Sequence, residues 1–284
     1  MARMNFVTAV KHGLTIDQIR EAAPSVFNLH AHESRSERYH VAPTVEVVEA
    51  MMADGFKVVL AGQQRSRSAD KLLFTRHVLR LRKDGVHSIN DCFPEVILTN
   101  SHDGSSSYRL MFGMFRSLCQ TQLSVGDATI AGQKVTHSAK DTAEKVVEGA
   151  NDVLAKTPIL KEAMDRWIGV TLTQKEQELL ARQALNLHYG DKVPPITEQD
   201  VLRAATRYDE GDSLWYTFLR IQKNLTEGGL TYQRTGGKHK RGTTRGIRGV
   251  HRSLQFNRKL WDLASATAEM APAAPAPGTA LMVI

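Results

Sequence analysis

The chain has 284 residues, of which 42% are hydrophobic, and carries 37 Lys+Arg against 30 Asp+Glu for a net charge of +7. That is enough length and apolar content for one large domain or two smaller ones with real cores, and no run approaches the ~18 apolar residues of a membrane span. Two cysteines, Cys92 and Cys119, lack C-x-x-C spacing and cannot form a disulfide framework, so reduced thiols in a cytoplasm are the expectation.

The opening residues, Met1-Ala-Arg-Met-Asn-Phe-Val-Thr-Ala-Val, show no signal-peptide cleavage site, and residues 1–24 read as an N-terminal extension. The α+β core is expected over 25–138. The Val/Met/Ala pattern of Val45 to Met52 predicts a short helix ending near Gly55. Lys57-Val-Val-Leu-Ala-Gly-Gln-Gln then predicts a β-branched strand, and Leu73 to Arg82 a second, before the Lys83-Asp-Gly turn. Period two puts Arg76, Val78, Arg80 and Arg82 on one face of that strand and Thr75, His77, Leu79 and Leu81 on the other. Glu95 to Asn100 predicts a third strand. Tyr108, Met111, Phe112, Phe115 and Cys119, at helical spacing after a capping Asp103 or Ser105 to Ser107, predict a helix. A small hairpin is expected around Gly132, joining Ala128-Thr-Ile to Lys134-Val-Thr.

After Ser138 the signal is helical, over 139–230. Thr173-Gln-Lys-Glu176 is a capping box, Pro194-Pro-Ile-Thr197 opens another helix, and Asp212-Ser213 caps the helix beginning at Leu214. Residues 231–253 read as a mobile basic Gly-rich loop, 254–270 as a C-terminal helix with Trp261 on its apolar side, and 271–284 as a disordered Ala/Pro tail. The fold class is therefore α+β: an antiparallel β-meander flanked by helices in the first half, and a mainly helical second half.

The basicity is local. Between Gly228 and Trp261 stand Arg234, Lys238, Lys240, Arg241, Arg245, Arg248, Arg252, Arg258 and Lys259, with no acid; these nine exceed the whole net charge, so the rest of the chain is slightly acidic. A segregated cationic segment implies an anionic partner. With Arg65, Arg67, Lys71, Arg76, Arg80 and Arg82 it makes the candidate nucleic-acid surface, the strand arginines expected on a solvated sheet face. Ser34-Arg-Ser-Glu-Arg38 and Gln64-Arg-Ser-Arg-Ser68 combine the residue types that grip phosphate, which are also ordinary turn residues. Tyr39 and Tyr232 are candidates for base stacking.

Candidate chemistry is sparse. His30, His32, His102 and Asp103 could contribute to a metal site, because His-x-His is a spacing zinc hydrolases use, but no complete ligand motif is present. Gly237-Lys238 is followed by His239, so the Gly-rich loop is no P-loop, and neither a G-x-S-x-G elbow nor a Cys–His pairing offers a nucleophile. No cofactor is expected.

The phrases Pro24-Ser-Val-Phe-Asn-Leu-His-Ala-His-Glu-Ser-Arg-Ser-Glu-Arg-Tyr39, Pro43-Thr-Val-Glu-Val-Val-Glu, Pro94-Glu-Val-Ile-Leu-Thr-Asn-Ser-His-Asp-Gly-Ser-Ser-Ser-Tyr108 and Leu214-Trp-Tyr-Thr-Phe-Leu-Arg-Ile-Gln-Lys-Asn-Leu resemble a phage/plasmid-like family catalogued as domain of unknown function nine-three-two. That resemblance, over about Ser25 to Ala264, implies a mobile-element protein and supplies no activity. In topology the helix, three-stranded basic meander and helix are similar to the ring-forming single-strand annealing proteins, among them Red beta, RecT and Erf. That similarity implies an ATP-independent strand-annealing protein, a homo-oligomer in ring or filament form, with single-stranded DNA as partner, RNA being equally allowed by the charge pattern. It is likeness of fold, which does not fix function. A metal-dependent nuclease and a protein-binding inhibitor of host nucleases or restriction systems are the alternatives.

Overall fold

The computed structural model describes residues 4–9, 12–30, 43–64, 69–90, 92–102, 108–116, 122–123, 134–135, 141–233, 241–247 and 250–271. The chain divides into two compact units. The first comprises 1–158 with 248–255, and the second 159–247 with 256–284.

The first unit is built on one antiparallel sheet in the order β1 (Met4–Thr8), β2 (Phe56–Gln64), β3 (His77–Lys83), β4 (Cys92–Asn100), β5 (Tyr108–Arg116) and β6 (Gln122–Leu123), with β7 (Lys134–Val135) also on β5. Sequential strands are spatial neighbours from β2 to β5, as a meander requires. The reversals are local. Gly55 (φ 82) turns the chain from α2 (Thr44–Ala53) into β2, and Gly85 (φ 77) completes the turn after β3. Both need a conformation that an L side chain resists. α1 (Ile16–Ala22) starts at Thr15, whose side chain accepts from the Gln18 amide while Gln18 bonds back, and α3 (Thr142–Ala155) follows the sheet. The helices lie on one sheet face, fixed there by Lys83, which bonds Asp54 at the end of α2 (3.0 Å) and Asn151 of α3 (2.6 Å). Val47, Val48 and Met51 of α2 and Val146, Ala150 and Val153 of α3 are buried with Leu79, Leu81, Val96, Leu98 and Phe112 of the sheet.

The α+β class, the meander and the helical second half agree with expectation, and four local readings are corrected. Tyr108 to Arg116 is strand β5, paired with β4 from Thr99↔Arg109 to Cys92↔Arg116. Tyr108, Met111, Phe112 and Phe115 satisfy a helical period, but Tyr108, Leu110, Phe112 and Met114 are buried in alternation on one face; Met111, half-buried, and Phe115, buried, add apolar positions on the other face, and the mixture imitates a helix. The N-terminal residues are no mere extension, since Met4–Thr8 adds an edge strand to β2. Leu73 and Phe74 lie in a 3-10 helix, Ala69–Phe74, so β3 starts later than the alternation suggested. Of the small hairpin expected at Ala128 to Thr136, Lys134–Val135 pairs with β5, and the other arm lies outside the described residues.

The second unit is helical with one β-ribbon. α4 (Thr157–Gly169), α5 (Gln174–Tyr189), α6 (Glu198–Leu202), α7 (Leu214–Glu227) and, from Phe256, α8 (Val250–Met270) enclose an aromatic cluster. Trp167 sits 4.2 Å from Trp261, 5.3 Å from Phe218 and 6.3 Å from Trp215 between ring centroids, an edge-and-tilt arrangement worth more than area alone. The capping box at Thr173 and the Ser213 cap form as the sequence predicts, and the helix expected after Thr197 opens on a capping box as well. Arg220 of α7 donates to the carbonyls of Asp209 and Gly211 and to the Gln177 side chain, tying α7 to α5. The fourth correction falls at 228–245. Against a helical region ending at 230 and a loop over 231–253, the chain forms β8 (Gly228–Gln233) and β9 (Arg241–Arg245), antiparallel strands rooted on the last turn of α7.

Candidate nucleic-acid interface

Register fixes which side chains share the sheet face opposite α2 and α3. Val78 pairs with Thr99 and Thr99 with Arg109, so Val78, Arg80 and Arg82, with Glu95, Ile97 and Thr99 across and Met111 and Arg109 beyond, all stand on it, and Arg76 immediately precedes β3. Alternation puts Arg76, Arg80 and Arg82 on one face; the sheet places Arg80 and Arg82 together, whereas Arg76 lies just before the strand.

That face is not the solvated strip expected of it. Arg80 is only 9% exposed, and its Nε donates to Glu95 Oε2 at 2.6 Å. Arg82 donates to Glu95 Oε1 through Nη2 (2.6 Å) and Nε (3.1 Å). The two guanidinium carbons lie 3.3 Å from the Phe115 ring centre and 3.7 Å from that of Phe93. Burial pushes the Arg80 guanidinium below its ordinary value, and the Glu95 carboxylate opposes the shift. Sequence alone misses Glu95 because its partners stand across a strand pairing that only the register reveals. Gly113, opposite Glu95, makes room: a Cβ there would come within 2.5 Å of the Phe115 ring.

Two arginines sharing one carboxylate leave this spot cationic, and Arg76 and Arg109 extend the positive character along the face. Arg109 is exposed, and Arg76 is half-buried with its Nε out of solvent and without a hydrogen-bond partner among the described residues. Arg65 and Arg67 lie outside the described residues, and Lys71 belongs to the 3-10 helix Ala69–Phe74.

The basic C-terminal stretch takes two forms. In the β8–β9 ribbon, Thr231, Gln233, Arg241, Thr243 and Arg245 alternate outward. Leu230, Tyr232, Gly242 and Thr244 are half-buried on the other face. Tyr232 lies over its cross-strand partner Gly242, where a Cβ would meet the ring at 2.5 Å, so it is no open stacking platform. The ribbon root is backbone against backbone. A Cβ on Gly246 would stand 2.4 Å from the Glu227 carbonyl oxygen and one on Gly228 (φ 71) 2.4 Å from the Gly246 nitrogen, while the Ile247 amide bonds the Thr226 carbonyl at 2.9 Å. On α8, Arg252, Arg258 and Lys259 are exposed. Arg234, Lys238, Lys240, Arg248 and Tyr39 lie outside the described residues.

A second polar constellation lies on the helix side. Thr44 Oγ1, at the start of α2, stands 3.0 Å from each of His77 Nε2, Asn100 Nδ2 and Tyr108 OH, and 3.4 Å from His102 Nε2. His77 Nδ1 reaches Ser25 Oγ at 3.1 Å. All six residues are fully buried. Of the histidines that suggested a metal, His102 belongs to this buried hub, whereas His30 is exposed and its amide bonds the Asn28 side chain. His32 and Asp103 lie outside the described residues, among which no group of three His, Cys, Asp or Glu is arranged to hold a metal ion. The hub does leave a trace in the sequence, since Ser25, Thr44, Asn100, His102 and Tyr108 all fall within the family-like phrases.

Among the described residues no helix is long and apolar enough to cross a membrane. No solved structure matches the fold. The chain is similar to the UPF0380 protein YafZ of Escherichia coli (strain K12), 38% identical over 253 residues that cover 89% of this chain and 91% of the relative. It is equally similar to the UPF0380 protein YfjQ of the same organism, 38% identical over 251 residues covering 88% and 90%. Residues 31–264, which include the arginine face, the ribbon and all but the last turns of α8, match the family described as Domain of unknown function (DUF932), and the chain belongs to that family.

Proposed function

We propose that this protein binds single-stranded DNA along the arginine-bearing face of its sheet and anneals complementary strands without a nucleotide cofactor, as a cytoplasmic, oligomeric recombination protein of a phage or mobile element. The observation that carries the reading is the charge on that face. Among the described residues Arg80, Arg82 and Arg109 share that face with a single acid, Glu95, and Arg76, just before β3, has a buried Nε without an acceptor. A single strand needs a cationic track for its phosphates and tolerant surfaces for its bases. Arg76 and Arg109 are the phosphate contacts. Arg80 and Arg82, held by Glu95 and backed by Phe115 and Phe93, shape the track between them. The acid-free 228–261 stretch adds long-range attraction for a polyanion.

The test is a gel-shift and annealing assay with complementary oligonucleotides and no ATP. The Arg76→Ala/Arg109→Ala double variant should bind and anneal more weakly, and its log-affinity against log-salt slope should fall by about 0.7 for each phosphate that is no longer neutralised. Wild-type protein that neither shifts nor anneals single strands at low salt rules the reading out. Electron microscopy with and without an oligonucleotide tests assembly into rings or filaments.

A further inference from the structure

The β8–β9 ribbon carries an inference that does not depend on single-strand annealing. We propose that it is a reading element for double-stranded DNA, seated in the major groove with Gln233, Arg241 and Arg245 directed at base edges.

The first ground is the outward face. Its side chains are Thr231, Gln233, Arg241, Thr243 and Arg245, with Thr231 directly across from Thr243 and Gln233 across from Arg241. Among the described residues neither arginine pairs with a carboxylate, and no acid occurs in the sequence from Gly228 to Trp261. These residue types match the major-groove code: arginine donates in pairs to guanine, glutamine exchanges paired hydrogen bonds with adenine, and the threonine methyl meets that of thymine.

The second ground is dimensional. A two-stranded antiparallel ribbon is one of the elements that the major groove of B-form DNA admits. Residues two apart on a strand are separated by about 6.8 Å, close to two base-pair steps of about 3.4 Å. Arg241, Thr243 and Arg245 therefore keep register with every second base pair, and the partner strand brings Thr231 and Gln233 alongside.

The third ground excludes the other nucleic acids. A single strand would call for a stacking surface, yet the ribbon's aromatic residue, Tyr232, turns to the half-buried face and lies over Gly242. Duplex RNA presents a major groove too deep and narrow for side chains to read. The glycine root at Gly228 and Gly246 fixes the ribbon on α7, so the outward face is presented in a set direction.

The experiment selects from a pool of randomised DNA duplexes with the full chain. Fluorescence anisotropy then compares the enriched duplex with three probes: the same duplex carrying 7-deazaguanine, the corresponding duplex RNA, and its separated strands. The expected results are a sequence preference, binding roughly tenfold weaker when the guanine N7 acceptor is removed, and no comparable RNA binding. Arg241→Ala or Gln233→Ala should relax the preference at one position with little change in salt slope, whereas removing a cation that meets phosphate would lower the slope by about 1. Selection without enrichment, or equal affinity for the 7-deazaguanine duplex, overturns the proposal. The deaza comparison uses unaltered protein, so misfolding of a variant cannot mask the answer. Binding of the separated strands reports on annealing independently, and either reading can fail without the other.

Discussion

Arginine is used in opposite ways in the two units. Arg80 and Arg82 on β3 are gripped by one buried carboxylate and stacked on two phenylalanines, whereas Arg241 and Arg245 on β9 stand exposed, with no carboxylate partner among the described residues. The first pair has exchanged hydration for fixed protein partners, and removing a partner strands a charge in a low-dielectric setting. The second pair keeps its water until a ligand displaces it. Equal positive charge in the sequence thus conceals a buried, partnered pair in one unit and an exposed pair in the other.

The sharpest way to break the comparison is Glu95→Gln, which leaves two guanidinium groups facing each other. Chemical denaturation should show a loss of about 3–5 kcal/mol. Arg80→Met should cost less, about 1–3 kcal/mol, because Arg82 still pairs with the carboxylate; a loss equal to that of Glu95→Gln would deny Glu95 its shared role. On the other side, Gly246→Ala drives a methyl into the Glu227 carbonyl, and thermal melting should report a loss of about 1–3 kcal/mol together with disturbance of the ribbon.

A smaller effect distinguishes the exposed acids. The Asn151 hydrogen bond, and then that from Lys83, hold the Asp54 carboxyl below the usual carboxylate range. A lowered folded-state value means that the stabilisation is present above the unfolded value of about 4. It is lost as pH falls through the folded value. Asp54→Asn should therefore flatten part of the fall in melting temperature between about pH 5 and pH 3. The remainder belongs to groups such as Glu176 and Glu198, lowered respectively by the Thr173 cap and by Arg182. Smallest of all, Arg241→Ala/Arg245→Ala should change stability by no more than about 0.5 kcal/mol per site, leaving its effect to the binding assays.

The legible parts of the sequence were those governed by neighbours in the chain. Thr173, Thr197 and Ser213 cap the helices they announce, and the period-two run of β3 places its arginines on one face. What could not be read locally was decided by partners far away. β5 looked helical because Met111 and Phe115 add apolar side chains on the face opposite to Tyr108, Leu110, Phe112 and Met114. The ribbon looked like a loop because its strands, Gly-Gly-Leu-Thr-Tyr-Gln and Arg-Gly-Thr-Thr-Arg, alternate polar with glycine or half-buried residues instead of polar with apolar. The arginine track was visible as charge, but the Glu95 that immobilises half of it lies on another strand.

The Thr44 hub has a kinetic consequence. It joins Ser25, Thr44, His77, Asn100 and Tyr108, which come from five separate stretches of the unit, so it can close only once β3, β4 and β5 have aligned and α2 has docked. The expectation is that such contacts close after the transition state, giving a φ-value near zero at Thr44. Stabilisation that is absent from the transition state slows unfolding and leaves the folding rate almost unchanged. Thr44→Val should therefore steepen the escape from the native state while refolding proceeds at nearly its original pace. In that sense the hub is a latch that governs how long the folded sheet persists.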